Sequence, residues 1–401
     1  MMHLFINGAG ASAGGGLTYL ANVLPHFANA GVRTTVAVTA EFAGAISSPS
    51  ERVEYVTIRS SGSVAHRFWR EQKVLPQMIR SCGANVLLSA GNFALRKSPV
   101  PQILLSRNSL YTSAAFSRDL LSRREYRMWL ESRIKGILAK RSISWADLTI
   151  APSAAFASDL EKWAGRPVIA LHHGFDRGFF TASPQHLPAD IGQKLNVPEG
   201  TLRVLLVSHY NYYRNFETVL RAVAEFKEQP GAPDVRLFLT CELQKSRTPG
   251  SYDPRVARQL IEQLNIREQV VELGAVPYDQ LHHVYRACDV YVSAAYTETF
   301  AHPLVEAMSC HLPIVASDLP VHREICGDTA LYFPRFSAEG LARQLLRLAQ
   351  SSSLRECLSV GGIERVKCFS WGSHVEHLLR WAGELLGSAE DPAKSRAVSA
   401  A

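Results

Sequence analysis

The chain alternates short apolar runs with longer amphipathic stretches, and this alternation constrains its fold more than any other feature. The apolar runs have the length of strands, roughly four to eight residues, and the stretches between them have the apolar spacing of helices. Strands that alternate with helices form βαβ units, which build parallel sheets covered by helices. The predicted strands cover residues 3–7, 32–39, 85–89, 102–106, 147–151, 203–208, 235–240, 270–273, 290–293 and 313–316.

The length of 401 residues is enough for two or three domains. The alternation weakens between residues 178 and 200, where prolines lie among polar residues, and it then resumes. This break predicts two α/β domains, an N-terminal one over 1–190 and a C-terminal one over 191–370. We expect a closing helix over 371–387 and a small, polar, disordered tail over 388–401.

Composition excludes several classes of protein. Hydrophobic residues make up 47% and charged residues 20% of the chain, which excludes a mostly disordered protein. No apolar run approaches the ~18 residues of a membrane helix, and the N-terminus lacks the pattern of a signal peptide. The seven cysteines are scattered. We therefore expect no disulfide framework, no zinc site and a cytoplasmic location.

A glycine-rich segment follows the first predicted strand. Gly8, Gly10 and Ala13 match the pattern G-x-G-x-x-A, and the loop continues through Gly14–Gly16. Glycines let backbone amides approach a phosphate, and a helix N-terminus adds positive potential. The pattern fits a dinucleotide site of an NAD(P)-dependent oxidoreductase, a turn without a ligand, or another phosphate or sugar site. In a dinucleotide site, the acidic residue that binds the ribose lies about 20 positions after the glycines. Glu41 lies farther along the chain than that.

Two glutamates flank the predicted start of a helix after strand 290–293. Glu298 lies in the preceding loop, Glu306 lies about one turn inside the helix, and Pro303 suits its first turn. The backbone amides between the glutamates point toward the space in front of the helix. Carboxylates accept hydrogen bonds from sugar hydroxyls, so the pair fits a nucleotide sugar, although two unrelated surface glutamates fit the spacing as well.

The surroundings of this pair resemble the Glu-x7-Glu signature of retaining GT-B glycosyltransferases, in particular glycosyltransferase family 4. The likeness continues in Leu273–Pro277, Pro313–Pro320, His173–Asp176 and Phe369–Trp371. The resemblance implies a GT-B fold, with two Rossmann-like parallel-sheet domains facing each other across a cleft. It also implies a hexosyltransferase that moves a sugar, with retention, from a UDP- or GDP-sugar to a saccharide or lipid-linked acceptor in surface polysaccharide biosynthesis.

The resemblance gives roles to single residues in the second domain. Glu306 matches the residue that binds the ribose hydroxyls of the donor. Arg214 matches the cation that clamps the diphosphate, while Ser208-His209 stands where the family has the other basic residue. The transferred sugar is held, by resemblance, by Glu298 with the backbone of Thr299, Phe300 and Ala301.

Roles in the first domain also come from the resemblance. Gly15 and Gly16 match the loop that faces the donor diphosphate and the acceptor. The family's histidine after the fourth strand is absent, and Arg107 or Asn108 stands in its place. His302 and His311 of the second domain replace family glycines. His302 either narrows the choice of sugar or simply faces solvent.

The sequence contains no Asp-x-Asp motif. We therefore predict metal-independent transfer with no cofactor, the nucleotide sugar being a co-substrate. The negative charge of the leaving nucleotide would be stabilised by Arg214, by backbone amides and by a helix N-terminus. Two alternatives remain, the oxidoreductase mentioned above and a non-catalytic sugar-binding protein.

Most of the chain's net charge of +7 comes from one stretch. Residues 118–141 hold eight basic and three acidic residues, with aromatic and aliphatic residues between them. Such a helix lies either on an anionic membrane surface, here the inner membrane face, or against its own domain. No nucleic-acid-binding motif is visible, so we expect no nucleic-acid partner.

Overall fold

The computed structural model describes residues 1–10, 15–40, 43, 50–58, 64–181, 183–244 and 251–390. The chain divides into two compact units. The first unit contains Met1–Thr112, Leu130–Gly174 and the described residues from Ser370 to Glu390. The second unit contains Ser113–Trp129 and Phe175–Phe369.

Strands and helices alternate along the described chain. In chain order they are β1 (His3–Asn7), α1 (Gly15–Asn29), β2 (Arg33–Val38), β3 (Val53–Thr57), α2 (Val64–Cys82), β4 (Val86–Ser89), β5 (Gln102–Leu105), α3 (Ala114–Ser122), α4 (Tyr126–Trp145), β6 (Leu148–Ala151), α5 (Ala154–Ala164), β7 (Ile169–Ala170), α6 (Arg177–Phe180), α7 (Ala189–Leu195), β8 (Leu202–Leu206), α8 (Phe216–Lys227), β9 (Val235–Leu239), α9 (Arg255–Gln263), β10 (Val270–Glu272), α10 (Leu281–Arg286), β11 (Val290–Ser293), α11 (His302–Ser309), β12 (Ile314–Ser317), α12 (Pro320–Cys326), β13 (Ala330–Phe333), α13 (Ala338–Gln350), α14 (Ser352–Val366) and α15 (Trp371–Glu390).

The first unit is built on a parallel sheet with the strand order β3-β2-β1-β4-β5-β6-β7. In its centre, Ile6 of β1 pairs with Val36 of β2 on one side and with Leu88 of β4 on the other. All residues of β1, β4 and β5 are buried. This continuous burial is typical of parallel strands that helices cover on both faces, and it explains why the strands are apolar runs.

The second unit contains a parallel sheet with the strand order β10-β9-β8-β11-β12-β13. One core of this unit packs strand residues such as Val204 and Val292 against α8 and α13, through side chains such as Phe216 and Leu341. Both sheets therefore have the doubly wound order. The first three strands run from the middle of the sheet to one edge, and the next strand pairs with the other side of the first strand. The predicted pair of Rossmann-like α/β sheets is confirmed.

The division into units differs from the predicted domain boundaries. Phe180 is buried against Tyr278 and Tyr285, with ring centroids 5.3 Å and 6.1 Å apart, so the chain after Gly174 already belongs to the second unit. The predicted boundary at residue 190 therefore lies inside that unit. Of the predicted tail over 388–401, the first three residues belong to α15, and 391–401 lie outside the described residues.

The closing helix is longer than predicted and joins the first unit. Trp371, Val375 and Leu378 of α15 pack into the same core as Tyr19 and Leu20 of α1. Burial of this apolar face holds the C-terminal helix against the first unit. Each large apolar side chain removed from water stabilises the folded state by about 1.5–3 kcal/mol. The first unit is therefore assembled from both ends of the chain.

Candidate active site

The strand order of the second unit points to one place for a ligand. β8 pairs with β9 on one side and with β11 on the other. In doubly wound sheets, ligands bind beyond the carboxyl ends of the two strands where the order reverses. The loop after β8 contains Arg214, and the loop after β11 contains Glu298, so two of the predicted site residues emerge at this point.

Arg214 is the last residue of a short 3-10 helix, Tyr212–Arg214. The next residue, Asn215, has a φ of 57°, which asparagine tolerates better than most residues, and α8 begins directly after it. The side-chain amide nitrogen of Asn215, Nδ2, donates to the backbone carbonyl of Ala294 at 3.2 Å. This bond joins the loop after β8 to the loop after β11.

The guanidinium of Arg214 donates to the carboxylate of Glu298, and the two form an ion pair. Their side chains are 20% and 10% exposed, so the pair is largely shielded from water. Burial alone lowers the pKa of Arg214, but the adjacent Glu298 raises it above its ordinary value. The structure thus brings the predicted diphosphate clamp and the predicted sugar-binding carboxylate into direct contact.

Thr299, Phe300 and Ala301 connect Glu298 to α11. The backbone amide of Thr299 donates to the Glu298 carboxylate at 3.2 Å. Phe300 is buried, and its ring lies 5.4 Å from that of Phe369 and 4.9 Å from that of His302. Ala301 has a φ of 63° and precedes the first residue of the helix. α11 therefore begins at His302, and the N-terminus of a helix favours an anion.

Glu306 lies inside α11, where it is only 5% exposed. The hydroxyl of Tyr285 donates to its carboxylate at 2.8 Å. Burial raises the pKa of Glu306 to about 7, although hydrogen bonds from Tyr285 and Tyr278 and the charge of Arg214 act in the opposite direction. Glu306 therefore changes its charge near neutral pH, a behaviour that is more common at functional sites than elsewhere.

The predicted residues of the N-terminal domain lie in the first unit. Gly15 and Gly16 are the first two residues of α1, and the preceding residues 11–14 lie outside the described residues, as does Glu41. Asn108 caps a short 3-10 helix, since its side chain accepts from the amide of Leu110 at 3.0 Å. The guanidinium of Arg107 lies over the Tyr19 ring, 5.3 Å from its centroid.

Two tyrosines and one segment of the second unit have no role in the sequence prediction. In the sequence alone, Tyr285 looks like an ordinary core residue of an amphipathic helix. Tyr278 also lowers the pKa of Glu306. Segment 113–129 was predicted as part of the other domain, and its contacts with the loops of this site are visible only in three dimensions.

Two further features of the described residues bear on the predictions. No three His, Cys, Asp or Glu side chains among them lie together in a way that could hold a metal ion. None of the described helices combines the length and the apolar content that a membrane crossing requires.

Two relatives are similar to part of this chain. D-inositol 3-phosphate glycosyltransferase from Corynebacterium aurimucosum is 24% identical over 62% of this chain, and the match spans 59% of that relative. O-antigen chain mannosyltransferase B from Escherichia coli is 31% identical over 30% of this chain and 32% of its own length. The chain therefore matches less than two thirds of the length of these relatives.

A solved structure extends the likeness to the whole fold. Anabaena Alr3699/HepE, solved in complex with UDP and glucose, superposes with a TM-score of 0.69 over 96% of this chain and 100% of its own, at 18% identity. The family models match both halves of the sequence: Glycosyltransferase Family 4 over residues 13–179 and Glycosyl transferases group 1 over residues 189–365. The chain therefore belongs to the GT-B glycosyltransferases that combine these two domains.

Proposed function

We propose that this protein is a retaining, metal-independent glycosyltransferase of the hexosyltransferase type. It transfers a sugar from a UDP- or GDP-sugar to a saccharide or lipid-linked saccharide, in the biosynthesis of a surface polysaccharide. The observation that carries the proposal is the meeting of Arg214, Glu298 and the start of α11 at the switch point of the second sheet. A cation, a carboxylate and the positive end of a helix are the groups that a nucleotide-diphosphate sugar needs.

Each part of the donor has a matching group. Arg214 and the N-terminus of α11 attract the diphosphate, Glu298 accepts hydrogen bonds from the transferred sugar, and Glu306 accepts them from the ribose. The UDP and glucose bound by Anabaena Alr3699/HepE support a UDP-linked donor. The similarity to an O-antigen mannosyltransferase supports a role in surface polysaccharide synthesis.

The transfer requires no covalent intermediate on the protein. Glu298 is held by Arg214 and by the amide of Thr299, which suits a hydrogen-bond acceptor better than a nucleophile. The acceptor hydroxyl oxygen bonds to the anomeric carbon on the face that the phosphate leaves, while the bond from that carbon to the phosphate oxygen breaks. The hydroxyl proton passes to the departing phosphate, and Arg214 stabilises the negative charge that remains.

Nucleotide titration tests the proposal directly. We expect UDP or GDP to bind in calorimetry and to raise the melting temperature, because a ligand of the folded state stabilises it. NADH should not bind. Tight NADH binding without UDP or GDP binding would favour the oxidoreductase alternative, which the two family matches do not favour.

A variant separates an enzyme from a non-catalytic sugar-binding protein. Once a donor is identified, wild-type protein should form a glycosylated product that mass spectrometry detects. Glu306→Ala should lose most of this transfer because the ribose contact is gone. Unchanged transfer by Glu306→Ala would remove the ribose role of Glu306, and absence of any transfer with bound donor would favour a binding protein.

The proposed acceptor lies at the cytoplasmic face of the membrane, and one face of α4 supports this location. Leu130, Ile134 and Ile137 are 54%, 49% and 56% exposed, and their spacing places them on the same side of the helix. Arg133 and Arg141 are exposed beside them, whereas the opposite side of α4 is buried. Apolar side chains flanked by arginines suit an interface with anionic lipid.

Only part of the predicted basic stretch has this character. Leu120 is buried and Arg123 is paired with two carboxylates, so these two side chains are occupied by contacts inside the second unit. The proposed membrane-facing surface is thus limited to the exposed side of α4.

Vesicle sedimentation tests this surface. Wild-type protein should bind vesicles of phosphatidylglycerol and phosphatidylcholine, and added salt should weaken the binding. Replacing Leu130, Ile134 and Ile137 together by serine should reduce it at least tenfold, because each loses buried apolar area in the interface. Val360→Ser, an equally exposed apolar residue on α14, is the matched control and should bind normally. Absence of salt-sensitive binding by the wild type contradicts the location.

A further inference from the structure

Segment 113–129 packs within the second unit although the chain on either side of it belongs to the first unit. The segment consists of α3 and the start of α4. Three of its charged side chains contact α8 and the two loops that carry Arg214 and Glu298, whereas others, such as that of Arg118, are exposed. Such contacts are unexpected for a stretch whose sequence is basic and amphipathic.

The first contact is an ion-pair triad. The guanidinium of Arg123 donates to Asp119 at 2.7 Å and to Glu217 at 3.0 Å. The three side chains are only 17%, 19% and 15% exposed, so water screens the charges weakly. Burial alone lowers the pKa of Arg123, but the two carboxylates raise it above its ordinary value. The triad therefore joins α3 firmly to Glu217, which lies in the first turn of α8.

The second contact reaches the loop of Arg214. The Arg123 guanidinium lies over the Tyr212 ring, 4.2 Å from its centroid, and the Tyr212 hydroxyl donates to Glu125 at 3.0 Å. Tyr212 is the first residue of the short 3-10 helix that ends in Arg214. Two residues of the segment thus hold a side chain two positions before the cation of the site.

The third contact reaches the loop of Glu298. The hydroxyl of Tyr296 donates to Asp119 at 2.7 Å, and Tyr296 lies two positions before Glu298. The backbone amide of Tyr296 also donates to the carbonyl of Tyr213 at 3.0 Å, which joins the two loops to each other. Asp119 is therefore shared between Arg123 and the loop after β11.

We propose that Asp119 and Arg123 are positioning residues that hold the Arg214 and Glu298 loops in the geometry that binds the donor. The proposal rests on the proposed function for its effect on donor binding, while its effect on loop order is independent of that function. Neither residue touches the donor, so both act through Tyr212 and Tyr296. The chain thereby uses a helix from its N-terminal half to organise the donor site of its C-terminal half.

The main experiment compares Arg123→Met and Asp119→Asn with wild type in UDP and GDP calorimetry. We expect a loss of nucleotide affinity of roughly tenfold to a hundredfold, because small displacements of binding groups have large effects. Arg123→Lys should recover part of this affinity. Lysine keeps the positive charge but lacks the planar guanidinium that donates to both carboxylates. Arg118→Met, which removes an exposed arginine from the same helix, is the matched control and should bind normally.

Removing Arg123 leaves two largely shielded carboxylates without their cation and can unfold the second unit. Tyr296→Phe and Tyr212→Phe avoid this problem, because each removes one hydroxyl and leaves the triad intact. Each should weaken nucleotide binding severalfold in a protein whose melting temperature stays near that of wild type. A fall in melting temperature with unchanged nucleotide affinity of the folded protein would show a merely structural role and overturn the proposal.

Hydrogen exchange separates the failure of this proposal from the failure of the proposed function. In Arg123→Met and Tyr296→Phe, amides of residues 207–215 and 294–301 should exchange faster than in wild type, while those of β8 and β11 stay protected. If wild type binds neither UDP nor GDP but these loops still loosen, the positioning role stands and the proposed function fails. If wild type binds nucleotide and the loops exchange as before in both variants, the positioning role fails.

Discussion

The two sheets share a strand order but differ in the chemistry at their switch points. In the second unit, β8 and β11 are followed by Arg214 and Glu298, which form a shielded ion pair. In the first unit, the equivalent strands β1 and β4 are followed by glycines, and Gly10 and Gly91 approach each other closely. Topology thus decides where a ligand can bind, and the residues after the strands decide which ligand it can be.

The glycines of the first unit are not interchangeable. A Cβ atom on Gly8 would lie 2.6 Å from a methyl group of Leu20 and 3.2 Å from the carbonyl oxygen of Ala37. A Cβ atom on Gly10 would meet the Cα atom of Gly91 at 3.7 Å, an ordinary contact. Packing therefore requires glycine at position 8, in agreement with the interpretation as a structural turn, and leaves position 10 open to a binding role.

The largest expected effect comes from removing the charge of Glu298. Glu298→Gln keeps the shape of the side chain but leaves Arg214 without its counter-charge and gives the sugar a weaker acceptor. We expect kcat to fall about 100-fold, as it does when a charge-stabilising group is lost from an active site. Initial rates at saturating donor and acceptor measure the effect.

The matching change in the first unit is Asn108→Asp. It keeps the oxygen that caps the short 3-10 helix, since Asn and Asp cap about equally well, and kcat should stay within about threefold of wild type. A loss as large as that of Glu298→Gln would instead place an essential amide donor in the first unit and break the comparison.

The charge of Glu306 links pH to stability and to donor binding. Its pKa is about 7 in the folded protein and 4.5 ordinarily, so between these values the folded state binds more protons than the unfolded state. The contribution of this group to stability therefore falls as pH rises from about 4.5 through 7. Glu306→Gln cannot ionise, and at pH 8 it should be more stable than wild type by about 2 kcal/mol.

The same variant should bind donor less well. At pH 8 the loss of a charged acceptor should weaken UDP binding about tenfold. Urea unfolding at pH 4 and pH 8 and calorimetry at pH 8 measure the two effects. A variant that is no more stable than wild type at pH 8 would show that Glu306 is not held at a raised pKa.

Gly8→Ala tests the packing of the first unit. The added methyl group overlaps Leu20, and we expect a loss of about 1–3 kcal/mol in the free energy of unfolding. Gly192→Ala in α7 is the control, because its added Cβ meets nothing within 4 Å, and it should be neutral or slightly stabilising. If Gly8→Ala keeps its melting temperature and loses UDP binding, the glycine serves a ligand and not the packing.

The smallest expected effect is at His311. Its φ of 61° lies in the left-handed region, where a side chain is strained. His311→Gly should stabilise the second unit by up to about 1 kcal/mol, although a contact with Arg177 at 3.4 Å is lost. His311→Ala keeps the strain and should give no such gain in chemical denaturation. An equal gain in both variants would assign the effect to the imidazole.

Ten of the thirteen described strands were predicted, and the missed ones share a position. β3, β7 and β13 each lie at the edge of a sheet. Only the first residue of β3 is buried, and β7 has two residues, neither of them buried. A strand with a neighbour on one side buries fewer residues, so its apolar run is short or broken. Periodicity therefore finds every central strand but only one of the four edge strands, β10.

The sequence by itself determined the two parallel sheets and the glutamate pair of the second unit. Both follow from residues that are near neighbours in the chain, because periodicity and motif spacing are local properties. Only the tertiary structure decided that α15 completes the first unit, that Tyr285 bonds to Glu306, and that segment 113–129 belongs to the donor-site unit. These results depend on pairs such as Asp119 and Tyr296, which are 177 positions apart. No local pattern encodes such a pair, since burial of apolar surface and pairing of charges are settled only when distant segments pack.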